Sequence, residues 1–118
     1  MGLIPVHSAA ADGAMIVLKE IAEKNRSELF KKDRNGWRPL HEAARSGQKE
    51  VVEYLLKEGA AINERTNDDV GASPLWWAER KPEQNKKVIE FLKKHGAISL
   101  PPKEYKKKSG KDKKLKIK

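Results

Sequence analysis

Three histidines, His7, His41 and His95, are the side chains of this chain best suited to proton transfer or metal ligation near neutral pH. Around them the usual companions are missing. No Gly-rich phosphate loop, no cluster of metal ligands and no paired-carboxylate arrangement stands out. The absence of cysteine removes disulfides, thiolate zinc sites and cysteine nucleophiles together. His95 follows Lys93 and Lys94 at a helix C-terminus, where a positive group meets the helix dipole favourably. The expectation is a chain with no catalytic residues, no metal and no cofactor. A different chemistry is available to Trp37 beside Arg34 and Arg45, because Trp and Arg dominate the energetics of protein interfaces. A third is electrostatic and belongs to the lysine-rich end.

The stretch from Asp33 to Glu64 must position most of these groups. Asn35-Gly36 marks a turn, since glycine adopts positive φ freely and Asn bonds to its own backbone. Pro39 suits the first position of a helix, where a missing N–H is no loss. Ala43 and Ala44 let another helix come close, and Gly47 ends the first helix. Val51, Val52, Leu55 and Leu56 form the apolar stripe of a second helix, which Gly59 stops as a left-handed cap.

This unit recurs. Pro5, Val6, His7, Ala9, Ala10 and Gly13 repeat the pattern of Pro39, Leu40, His41, Ala43, Ala44 and Gly47, with the histidines 34 residues apart. The outer helix of this first copy is expected to bury Ile16, Val17, Leu18 and Ile21 and to solvate Lys19, Glu20, Glu23 and Lys24. Leu29 and Phe30 pack beneath the connection to the next turn. A third copy runs from Gly71 to Ala78, with Trp76 in place of the histidine, and continues through Val88, Ile89, Phe91 and Leu92. It carries an expanded polar turn at Thr66 to Gly71 and an insertion near Arg80 to Asn85.

The central unit resembles the ankyrin repeat, whose pattern is a β-turn and two antiparallel helices with a Thr-Pro-Leu-His-x-Ala signature every 33 residues or so. Here the signature reads Arg38-Pro39-Leu40-His41-Glu42-Ala43, and the Gly-Ala-x-x-Asn ending follows at Gly59. The resemblance implies an all-α ankyrin-repeat solenoid of three helix-turn-helix units with β-turn fingers. The repeats would span 4–32, 33–65 and 66–98, within a domain of residues 1–100. Three copies suffice to bury a continuous core. The resemblance also implies that His7 and His41 bond to backbone and adjacent turn groups as structural residues. No copy keeps both threonine and histidine of the signature.

From the same resemblance, finger tips and first helices form a concave surface that grips another protein. By position, the partner-binding candidates are Arg34, Asn35, Trp37, Arg45 and Ser46 in the second copy. In the third they are Asp69, Val70, Ala72, Arg80 and Lys81. Trp37 is read either as an anchor or as packing for the neighbouring finger. Trp76 and Trp77 are expected to cover the exposed end of the stack, since a terminal repeat must close its own core.

The net charge is +9. From Ser99 onward nine lysines face Glu104 and Asp112, so this segment holds +7 and the preceding residues nearly balance. Such a run cannot bury enough apolar surface to order itself. Residues 101–118 are therefore read as a basic tail. Lys103, Lys106, Lys107, Lys108, Lys111, Lys113 and Lys114 are candidates for binding a polyanion such as nucleic acid. The expected function is a protein-interaction scaffold with a tail for electrostatic attachment. The alternative is a component of a ribonucleoprotein or other nucleic-acid-containing complex. No apolar run is long enough to span a membrane, and a cytoplasmic or nuclear location is expected.

Overall fold

The computed structural model describes residues 5–104, which form three helix pairs and, among the described residues, no strand. Each pair begins with a short inner helix opened by proline: α1 (Pro5–Asp12), followed by α2 (Met15–Lys24), then α3 (Pro39–Arg45) with α4 (Lys49–Lys57), and α5 (Pro74–Ala78) with α6 (Lys86–Lys94). A 3-10 helix, Arg26–Phe30, joins the first pair to the second. Asn25 caps it by accepting the Ser27 N–H at 3.2 Å, which satisfies one of the donors a helix start leaves open.

The core follows from the apolar stripes. Leu18, Leu29, Val51, Val52, Leu55, Val88 and Leu92 are fully buried. Ala10, Ala43, Ala44 and Ala78 are buried too, and their small side chains allow α3 to lie against α1 on one side and α5 on the other. The outer helix of the first pair differs from expectation. Leu18 is buried and Ile21 packs against the core, but Ile16 is 76% and Val17 42% exposed. On a helix one stripe reaches the core, and Ile16 and Val17 lie off the stripe that Leu18 and Ile21 define.

Adjacent repeats are fastened along two edges. On the finger edge, the Asp33 carboxylate accepts the Asn35 and Trp37 N–H groups, each at 2.9 Å, and shapes the second finger. The Asn67 N–H of the third finger then bonds to the Asn35 carbonyl at 3.1 Å. On the opposite edge, where inner helix turns into outer helix, amide side chains make the link. Gln48 Nε2 donates to the Ala11 carbonyl of the first repeat at 3.0 Å. Asn85 Nδ2 donates to the Arg45 carbonyl of the second repeat at 3.0 Å and to Ala78 of its own at 2.9 Å.

The expanded third finger has a backbone that sequence patterning does not convey. Asn67, Asp68 and Asp69 take φ of 55°, 53° and 81°, three left-handed residues in a row. Asn and Asp tolerate this region better than other side chains. Thr66, fully buried, closes the finger through its hydroxyl, which accepts the Ala72 N–H at 3.1 Å.

Candidate functional site

His41 shows what the repeated histidine does. Its Nδ1 accepts the Arg38 N–H at 2.9 Å, so the proton sits on Nε2, which donates to the Glu64 carbonyl at 2.7 Å. His7 Nε2 likewise donates to the Trp37 carbonyl at 2.7 Å. His7 therefore ties its inner helix to the exit of the second finger, and His41 ties its own to the chain entering the third. Burial lowers the His41 pKa below its ordinary value, against the opposing pull of the Glu64 carbonyl and carboxylate. The buried ring is accordingly neutral near pH 7, with both nitrogens bonded.

A pH dependence follows. An unfolded chain takes up a proton at His41 near pH 6.5, and the folded chain only at lower pH. The stability that His41 contributes is full above that value and falls as pH drops below it, by at most about 1.4 kcal/mol per pH unit. Urea unfolding at pH 8, 7, 6 and 5 should show this slope between pH 6.5 and 5. His41→Gln, which cannot titrate, should flatten it; an unchanged slope in the variant would assign the effect elsewhere.

In the third repeat Trp76 replaces the histidine, and Ser73 takes over the connection. The Ser73 hydroxyl donates to the Ile98 carbonyl at 2.7 Å and accepts the Leu100 N–H at 2.9 Å, while its own N–H reaches the Leu100 carbonyl at 3.0 Å. The segment after α6 is thereby held along the third finger. Further on, Lys103 N–H bonds to the Val70 carbonyl at 2.9 Å, and Arg65 reaches Pro101 at 2.6 Å.

The inner helices and finger bases place an aromatic row on one face. Trp37 and Trp77, from neighbouring repeats, pack with ring centroids 4.6 Å apart. Trp76 meets Trp77 edge-on at 4.9 Å. Guanidinium groups cover both ends: Arg45 lies 5.2 Å above the Trp37 ring and Arg80 3.9 Å above Trp76. Arg45 also pairs with buried Glu42 at 2.7 Å. Beside the row lies a groove of about 420 Å³ lined by Arg45, Ser46, Trp77, Arg80, Lys81 and Gln84.

Of the sequence-derived candidates, Trp37, Arg45, Ser46 and Arg80 thus come together around this row and groove, with Lys81 beside them. Arg34 and Asn35 stand exposed on the second fingertip, away from the groove lining. Asp69 and Val70 stand on the third fingertip, where Lys103 pairs with Asp69 at 3.2 Å and Lys32 with Asp68 at 2.8 Å. Ala72 is fully buried and offers no surface to a partner. Trp77 turns back onto Trp37 and lines the groove. Trp37 meets both of its readings, since it packs on the next repeat and is only half-buried. Of the tail lysines only Lys103 is placed; Lys106, Lys107, Lys108, Lys111, Lys113 and Lys114 lie outside the described residues. Among the described residues, no group of three or more His, Cys, Asp or Glu side chains could hold a metal. None of their helices is long and apolar enough to cross a membrane.

Paired helices, turn fingers and two edges of inter-repeat bonds define a repeat solenoid. A family model for ankyrin repeats, described as three copies, matches residues 6–104, and the chain belongs to the ankyrin-repeat family. Members of this family are generally protein-interaction modules. The chain is 34% identical over 99 residues to the ANK repeat-containing protein nipk-1 of Caenorhabditis elegans, covering 77% of this chain and 16% of that one. It superposes on the human ASB11 ankyrin repeat domain with a TM-score of 0.69 and 29% identity, covering 81% of this chain and 41% of that one. It also superposes, with a TM-score of 0.70 and 28% identity, on a chain from the complex of the predatory endopeptidase Bd0816 of Bdellovibrio bacteriovorus with immunity protein Bd3460. That match covers 83% of this chain and 49% of the other. In every case the chain spans less than half of the protein it resembles.

Proposed function

We propose that this chain is a protein-binding module that holds its partner on the face formed by Trp37, Arg45, Trp77 and Arg80, and that it acts by binding and not by catalysis. The observation that carries the reading is the Arg-Trp-Trp-Trp-Arg row drawn from two repeats and bordered by a groove. Aromatic and arginine side chains held rigidly on packed helices contribute most to interface affinity, because little conformational entropy is lost when they bind. Lys103 and the lysines after it add electrostatic attachment that weakens with salt.

The test is affinity capture from cell extract with the intact chain, with Trp37→Ala/Arg45→Ala, and with a chain ending at Pro102, each at low and high salt. Circular dichroism verifies that all three are folded. The double variant should lose the salt-resistant partner by about tenfold or more, while the shortened chain keeps it. Capture that survives the double variant, disappears with the tail and is released by nuclease would replace this reading with the nucleic-acid one.

A further inference from the structure

The charge around the groove says what kind of partner segment fits it. Arg45, Arg80 and Lys81 line it together with Trp77, and no carboxylate does. Glu42, the carboxylate paired with Arg45, is buried and bonded to Arg45 Nη2. Arg80 spends only Nε, on the Trp76 carbonyl at 3.0 Å; its terminal amino groups make no bond within the described residues. A guanidinium laid flat on an indole keeps its in-plane N–H donors at its edge, the geometry that takes a carboxylate bidentately. The same stacking leaves less ring surface for bases: Arg45 and Trp77 both lie against the Trp37 ring and Arg80 covers Trp76, so part of the surface on which nucleobases stack is already in use.

We infer that the groove takes an acidic peptide segment, with carboxylates on the edges of Arg80 and Lys81 and an apolar side chain against Trp77. This rests on the concave face being the binding surface, and it adds the chemistry of the occupant. The chain supplies its own reporter, because its three tryptophans all lie in this row. Occupancy of the groove should therefore shift tryptophan emission.

The probe is a short random-peptide phage library selected on the immobilised full chain, with enriched peptides then titrated by tryptophan fluorescence. The enriched sequences should carry an excess of Asp and Glu over the unselected library. Arg80→Gln/Lys81→Gln should weaken them by about tenfold or more, the worth of a charge-assisted bond. Arg80→Lys should recover only part of the loss, because lysine lacks the planar fork. Lys106→Gln/Lys107→Gln/Lys108→Gln should leave the emission shift in place. Enrichment of neutral or basic peptides that still lose binding with Trp37→Ala/Arg45→Ala would overturn the acidic occupant and leave the binding face standing. Equal affinity for the Arg80→Gln/Lys81→Gln variant would overturn it as well. An emission shift with oligothymidine and none with peptide would give the groove to nucleic acid.

Discussion

Gly36→Ala is expected to lower stability by about 3 kcal/mol, combining a left-handed backbone cost with a forced separation of two fingers. Gly36 has φ +75°, and a Cβ there would sit 2.6 Å from the Asp68 nitrogen and 2.8 Å from the Asn67 nitrogen. Both are backbone atoms, so no side-chain rotation relieves the contact. The third finger must move and give up the Asn67–Asn35 hydrogen bond. Gly96→Ala separates the two contributions, because Gly96 has φ +86° with nothing within 4 Å of the added carbon. It should cost only the conformational part, about 1 kcal/mol. Urea unfolding of both variants measures the difference; equal losses would mean that the fingers are not in contact at Gly36.

Asn85→Ala should cost about 3 kcal/mol, since it strands the Arg45 and Ala78 carbonyls. Asn85 is 1% exposed, so water cannot replace both lost donors. The nearby exposed Glu83→Ala should change stability by less than about 0.5 kcal/mol. A loss at Asn85 no larger than at Glu83 would show that the inserted turn carries none of the inter-repeat coupling.

Asn35-Gly36, Pro39, Gly47 and the recurring histidines made the helix pairs legible from sequence, because each acts locally through a turn, a helix start or a helix stop. Ser73 was less legible. Its role emerges only when the chain after α6 folds back to meet it. The exposure of Ile16 and Val17 was missed because an apolar run of four on α2, Met15 to Leu18, does not say which stripe faces the core. Trp77 was assigned to the end of the stack, yet it packs on Trp37, a contact fixed by how repeats stack and not by periodicity within one. Asn85, Thr66 and Glu42 are buried polar groups with partners that a single repeat's pattern does not show.

The two edges of inter-repeat bonds have a mechanical meaning. Bonds from His7, His41 and Asn67 set spacing along the fingers, while those from Gln48 and Asn85 set it along the helix turns. The ratio of these spacings fixes the curvature of the solenoid, as the two rims of an arch fix its radius. Loosening the Gln48 and Asn85 rim alone should open or flatten the arch that carries Trp37, Arg45 and Arg80, reaching Arg45 only through its backbone carbonyl. The face proposed to hold a partner can thus be tuned by Gln48 and Asn85, neither of which belongs to its aromatic row.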